Sequence, residues 1–262
     1  MASFTGKKIK DVYKDILHTS NSNTGISSTI KQITCGDGDT SALYLSNRNL
    51  KIQPSADSTT NTVIYDAGGN ALLTVDSTND LIKAGIGQHN VNTQYANFGI
   101  GSGDSVWAGA AANTHYAVPF NGYANQALVS IGTGTNPDTS LTISTTADDV
   151  TCCFWFIMDN ITIDRVVWWS GGDAASGDTT RCHLMSYDID KNNISTGGDL
   201  SSGVVLAYGS DITNAGYEQV YYQQMTIQSA DVNAGKAILF AFRSDSVNSD
   251  FSINATIKYH LR

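Results

Sequence analysis

Residues 70–87 read NALLTVDSTNDLIKAGIG, two short apolar runs on either side of the polar turn Asp76-Ser77-Thr78-Asn79-Asp80. Leu73 and Val75 alternate with Thr74 and Asp76, and Ile82, Ala84 and Ile86 alternate with Leu81 and Lys83. Period-two alternation across a turn predicts a β-hairpin. Its arms are too short to hide their narrow apolar face against each other. The fold therefore turns on what covers that face.

The rest of the chain carries the same signature. Of its 24 acidic residues only Glu218 is a glutamate, and charged residues are sparse at 15%. Asp, Asn, Gly, Ser and Thr favour turns and strand ends, whereas Glu favours helices, so the composition predicts an all-β chain. At 262 residues, 41% of them hydrophobic, there is length for a sizeable core. The net charge of −9 is uneven: residues 1–50 carry +2 and the remainder −11. An acidic body argues against nucleic acid and against an anionic membrane surface as partners. The longest apolar run, Cys152–Met158, is far shorter than the roughly 20 residues of a membrane span. Residues 1–20 lack the apolar core and cleavage site of a signal peptide, so synthesis is expected in the cytosol. Cys35, Cys152, Cys153 and Cys182 form no C-x-x-C pair and are expected as buried thiols, with the adjacent Cys152 and Cys153 on opposite faces of a strand.

One helix is expected, at the start. In GKKIKDVYKDILHTS, Ile9, Val12, Tyr13, Ile16 and Leu17 fall on one stripe at helical spacing. Such a helix is marginal alone and must pack on its own domain, on its copies or on a partner. Brief strands follow, STIKQITC, SALYLS, NLKI, TVIY, ALLTV and LIKAGI, each with a narrow apolar stripe. Gln88–Ala112, rich in Gly, Ala, Asn and Ser, reads as a linker. Beyond it the strands lengthen, in segments such as VTCCFWFIM, ITIDRVVWW, TRCHLMSYDI, KAILFAFRS and FSINATIKYHL. These predict a β-sandwich, with a jelly roll as the natural size match. The organisation expected is an attachment segment over 1–30, a short-strand meander and shaft over 31–100, and a sandwich tip over 101–262. Phe154, Phe156 and Met158 oppose Cys153, Trp155 and Ile157, and Ile238, Phe240 and Phe242 oppose Leu239 and Ala241. Strands apolar on both faces call for a second cover, expected from a neighbouring copy.

The hairpin segment resembles the shaft segments of trimeric fibres of tailed phages, carried here by Leu73, Val75, Asp76, Ile82, Gly85, Ile86 and Gly87. In such fibres the stripes of three chains meet on a common axis, which would place Leu73, Val75, Ile82 and Ile86 there. Residues 4–30, FTGKKIKDVYKDILHTSNSNTGISSTI, resemble the N-terminal attachment segment of phage fibre and spike proteins, particularly marine ones. The resemblance implies particle attachment through Phe4, Ile9, Val12, Tyr13, Ile16 and Leu17. The shaft unit appears twice, with Thr62–Gly69 the weaker copy, which implies a short fibre. The segment beyond residue 100 resembles a fibre tip only in architecture.

No catalytic signature stands out: G-x-S-x-G, H-E-x-x-H and a Gly-Lys-Ser phosphate loop are all absent from the sequence. No cofactor is expected. Gly99-Ile100-Gly101-Ser102-Gly103 reads as linker, because no helix pattern follows it. The carboxylate pairs Asp148-Asp149 and Asp159/Asp164 raise glycosidase chemistry, yet pairs arise by chance among so many aspartates. Asp188, Asp190, Asn192 and Asp199 place oxygen ligands at the spacing of a calcium loop, but Asn193 stands where that loop needs Gly, and a self-capped hairpin loop explains them as well. Trp168-Trp169 and Tyr221-Tyr222 are strand neighbours, so one of each pair should face outward. An outward ring is either an inter-subunit contact or a platform for a glycan, with Asp173 and Asp178 in the nearby turns supplying polar groups.

The sequence is therefore expected to encode a homotrimeric, non-enzymatic virion protein, a tail fibre or spike presenting a head that binds the host surface. Its partners would be its own copies, other virion proteins of tail, baseplate or capsid, and a host glycan, with no nucleic acid and no membrane insertion. The alternatives are a capsid-attached head fibre or decoration protein and, from another class, a carbohydrate-active tail-spike enzyme.

Overall fold

The computed structural model describes residues 16–19, 25–101, 110–122, 129–133, 149–172, 176–189, 199–216, 219–245 and 251–262. Over these the chain is all-β, with no α-helix among the described residues. It divides into two compact units, Met1–Val91 and Asn92–Arg262.

The first unit holds two antiparallel four-stranded sheets. One runs β1 (His18–Thr19), β2 (Lys31–Thr34), β3 (Thr40–Leu45) and β4 (Leu50–Ile52). The other runs β5 (Thr62–Tyr65), β6 (Ala71–Asp76), β7 (Leu81–Ala84) and β8 (His89–Asn90). The predicted hairpin is β6–β7, with Leu73 opposite Ala84 and Val75 opposite Ile82. Its turn closes because Asn79 N–H donates to Asp76 Oδ1 at 3.0 Å, while Asp80 takes the left-handed conformation at φ 55°. Gly85 adopts φ +74° and accepts a bond from Gln88 N–H at 2.9 Å, which turns the chain into β8.

Each of these sheets has a row of apolar side chains that no described residue of the unit covers. Ile64, Leu73, Val75, Ile82 and Ala84 share one face through their pairing, with Ile64 and Ile82 exposed and the others half-buried. Leu43 pairs with Ile52 and Leu45 with Leu50, and both members from β4 are exposed. Ile33 is the one buried hydrophobic side chain among the unit's described residues. On the opposite face, beside Val63, Leu72 and Leu81, the polar side chains of β6 are satisfied internally. Thr74 donates to Gln88 Oε1 at 2.7 Å, and Lys83 Nζ donates to the buried Asp76 carboxylate at 2.8 Å.

The N-terminal helix needs correcting at its described end. Ile16 and Leu17 are not helical, and His18 and Thr19 pair with Thr34 and Ile33. A short helix has little stability of its own, so ladder bonds to β2 prevail. Phe4, Ile9, Val12 and Tyr13 lie outside the described residues.

The second unit contains β9 (Thr93–Ile100), β10 (Thr114–Val118), β11 (Val129–Thr133), β12 (Phe154–Phe156), β13 (Ile161–Gly172), β14 (Thr179–Ile189), β15 (Leu200–Tyr208), β16 (Ile212–Thr213), β17 (Gln219–Gln224), β18 (Thr226–Ile227), β19 (Asp231–Val232), β20 (Lys236–Ser244) and β21 (Phe251–Leu261). The larger sheet runs β11-β10-β20-β14-β15-β18, with β12 on β20 and β16 on β14. The smaller runs β17-β13-β21-β9, with β19 on β13. Phe98, Val166, Trp168, Ile253 and Ile257 of the smaller sheet form one buried cluster with Leu184, Leu206, Ile238, Phe240 and Phe242 of the larger. This is a β-sandwich core.

Three expectations change here. The stretch taken for a linker contains β9, which pairs along its whole length with β21. The segment 150–158 is not one strand: a 3₁₀ turn, Asp149–Cys152, precedes β12 and brings the sulfurs of Cys152 and Cys153 within 3.8 Å instead of onto opposite faces. Cys152 is exposed and Cys35 half-buried, while Cys153 and Cys182 are buried as expected. That turn also answers the two-faced strands. Val150 and Cys153 join Met185, Tyr187, Leu239 and Ala241 in a second buried cluster on the outer side of the larger sheet. The chain buries this face itself, and no neighbouring copy is needed there. Phe156 and Met158 remain exposed.

Candidate functional site

The outer face of the smaller sheet carries the most developed surface feature among the described residues. Register fixes it. Tyr222, Trp169, Asn254 and Gly99 form one row across β17, β13, β21 and β9, and Val220, Gly171 and Ser252 form the next. Rows two residues apart share a face, so Trp169 stands beside a hollow in which two strand positions have no side chain. A Cβ at Gly99 would meet Asn254 Nδ2 at 3.4 Å, and one at Gly171 would meet Ser252 Oγ at 3.4 Å. The hollow has a volume of about 420 Å³, within the usual range of ligand sites. Its lining includes Gly99, Gly101, Gly122, Trp169, Gly171, Val220, Ser252 and Asn254, and none of its described lining residues is charged.

The turn after β10 forms part of the rim. Gly99 N–H donates to Pro119 O at 2.9 Å and Asn121 N–H to Asn97 O at 2.7 Å. Asn121 and Gly122 both take positive φ, 61° and 74°, a pair of residue types suited to it. Behind Trp169, Tyr222 packs with ring centroids 4.6 Å apart and planes tilted by 52°. Arg165 in turn donates from Nη2 to Tyr222 Oη at 3.0 Å, fixing the phenol. Trp169 remains 44% exposed.

Of the aromatic quartet, Trp169 and Tyr222 come together outward. Trp168 is withdrawn from the surface set: it is fully buried in the core, its Nε1–H donating to Gln223 Oε1 at 3.2 Å. Tyr221 is half-buried, its hydroxyl accepting from Ala215 N–H at 2.7 Å and donating to Gln219 Oε1 at 3.0 Å. Asp178 is not among the lining residues, and Asp173 lies outside the described residues. Sequence reasoning missed Asn254, Ser252, Gly99 and Gly171. The alternating polar positions of FSINATIKYHL and the glycines within strands were the available signals.

The other candidates disperse. Asp188 is paired with Lys236 across β14–β20, Asp199 is exposed, and Asp190 and Asn192 lie outside the described residues. Among the described residues no three acidic, histidine or cysteine side chains converge to hold a metal ion. Asp164 accepts from or pairs with His260 Nδ1 at 2.9 Å. Of the axial set, Leu73, Val75 and Ile82 share a face, but Ile86 falls in the turn after β7 and is 74% exposed. No helix among the described residues is long and apolar enough to cross a membrane.

No family model and no curated protein matches this chain. Among the solved structures similar to parts of it are two of low identity. One is the CBM22-1–GH10 portion of endo-1,4-β-D-xylanase 10B from Clostridium thermocellum, complexed with xylohexaose. It is 13% identical with a TM-score of 0.24, over 41% of this chain and 18% of that one. The other is Eiger TNF from S. frugiperda, 10% identical with a TM-score of 0.29, over 65% of this chain and 93% of that one. Likenesses at this level carry no argument about activity.

Proposed function

We propose that the protein is a homotrimeric structural protein of a tailed-phage virion, a tail fibre or spike whose sandwich meets the host surface, and that it acts by binding and not by catalysis. The observation that carries this reading is the first unit's construction. Among its described residues the polar side chains of β6 are satisfied within their sheet, while the apolar row Ile64, Leu73, Val75, Ile82 and Ala84 stays uncovered. Burying an apolar side chain contributes about 1.5–3 kcal/mol, and with Ile33 the one buried hydrophobic side chain among its described residues, this part of the chain forgoes most of that gain. Copies of the same chain arranged about a closed symmetry axis would bring these narrow rows together. The resemblance of residues 70–87 to fibre shafts favours three copies. Attachment would fall to the N-terminal segment and binding to the sandwich, with three weak sites gaining by effective concentration.

Light scattering on the full chain tests the assembly: a mass three times 27.9 kDa is expected, and a monomer removes the reading. Locating the protein in an electron-microscopy map of the particle then decides between tail and capsid attachment.

A further inference from the structure

We infer that the hollow beside Trp169 is a binding site for a neutral glycan, one pyranose stacking on the indole and its hydroxyls meeting Asn254 and Ser252. This rests on reading the sandwich as the part that meets the host surface.

Glycine weakens a strand interior and commonly marks a place where something approaches the backbone closely. Here Gly99 and Gly171 lie on the same face of the smaller sheet, two strands and one row apart, and their missing side chains make the hollow. Trp169 forms its wall and is held from behind by Tyr222, itself fixed by Arg165. A rigid, half-exposed indole offers a flat apolar face to the C–H face of a sugar ring without loss of side-chain freedom on binding. From Trp169 across Asn254 to Gly99 is two strand spacings, about 10 Å, comparable with a disaccharide.

The polar groups at the hollow fit hydroxyls. Among the described residues the Asn254 amide and the Ser252 hydroxyl make no side-chain hydrogen bond, and the Asn254 side chain is exposed. An amide both donates and accepts, as vicinal hydroxyls do. The described lining supplies no cation for an acidic sugar and no carboxylate for an amine, within a chain of net charge −9. A peptide is a poor fit, because strand addition uses the backbone groups of a sheet edge and this hollow lies on a sheet face.

The test uses the full chain, fluorescently labelled, on an array printed with neutral and acidic oligosaccharides, alongside Trp169→Ala, Gly171→Val and Asn254→Ala. Retention on neutral glycans is expected, falling at least tenfold in Trp169→Ala and Gly171→Val, with the mass by light scattering unchanged. Asn254→Ala, an exposed substitution that leaves the core intact, is expected to weaken retention severalfold. Retention on acidic glycans alone, retention indifferent to all three substitutions, or no retention anywhere overturns the inference, and a trimeric mass in those cases leaves the fibre reading standing. Loss of the trimer in Trp169→Ala would also overturn it, by making the hollow a contact between copies.

Discussion

Lys83 Nζ lies 2.8 Å from Asp76 Oδ2, and the Asp76 side chain is fully withdrawn from solvent on the face of the β6–β7 hairpin opposite Leu73 and Val75. Asn79 adds its own amide to the same carboxylate. These bonds, Lys83 first and Asn79 second, hold the Asp76 carboxyl down to about 2, from an ordinary 3.8.

A carboxyl whose folded value lies below its unfolded one contributes stability that is present above the unfolded value and lost as pH falls through the folded one. The hairpin is therefore expected to lose stability between about pH 4 and pH 2. Asp76→Asn should be less stable at pH 7 and show no loss specific to that window. Thermal unfolding of both proteins across the pH series checks this, and parallel profiles would refute it.

His183 has the opposite chemistry with the same sign. It is buried on the outer side of the larger sheet, its ring 5.3 Å from that of His115, with Arg181 and Arg243 on the same face and Asp211 bridging the arginines. Burial first, then the charges of His115, Arg181 and Arg243, push the imidazole down to about 3. It stays neutral in the fold while the unfolded chain takes up a proton below about pH 6.5. The sandwich should then lose on the order of 2 kcal/mol between pH 6.5 and 4.5. Denaturant titrations at both pH values should show this slope in the native chain and its absence in His183→Gln. An equal slope in the two would exclude His183 as its source.

Tyr187 packs in the same outer cluster, and its buried hydroxyl has no hydrogen-bond partner among the described residues. Burial raises its pKa well above the ordinary tyrosine value. An unsatisfied buried hydroxyl costs about 1–3 kcal/mol of desolvation, so removing it should be neutral or favourable. Tyr187→Phe is expected to raise stability by about 1 kcal/mol, read as a shift in denaturant midpoint with unchanged slope. A clear destabilisation would reveal a partner for the hydroxyl.

The long strands of the sandwich were legible because their side chains alternate against two buried clusters. β20 shows Ile238, Phe240 and Phe242 on one side and Leu239 and Ala241 on the other. What hid was anything set by a partner distant in sequence. β9 reads as linker because Asn97, Gly99 and Ala96 have weak strand preference, and its order comes from pairing with β21 more than 150 residues away. Alternation told that one of Trp168 and Trp169 faces inward but not which, since a one-residue slip exchanges the faces. The second cover for the larger sheet was invisible because it comes from Val150 and Cys153, at a 3₁₀ turn whose residues look like strand. The hollow was half legible: its aromatic wall stood out, while its floor is defined by missing side chains.

Leu73 sits at the middle of the uncovered row, opposite Ile64 on one side and Ala84 on the other. In a lone chain Leu73→Asp would cost little, because the position is only half-buried and its neighbour Ile64 is exposed. In an assembly that gathers three such rows, the same change puts three carboxylates into one apolar stripe, where unpaired charges are strongly disfavoured. The two situations predict different numbers. If copies associate through this face, Leu73→Asp should bring the scattering mass down to that of one chain, while near-ultraviolet circular dichroism from Trp168 and its neighbours stays native. An unchanged trimer would show that these rows are not the seam, and a native-like monomer from the start would remove the need for one.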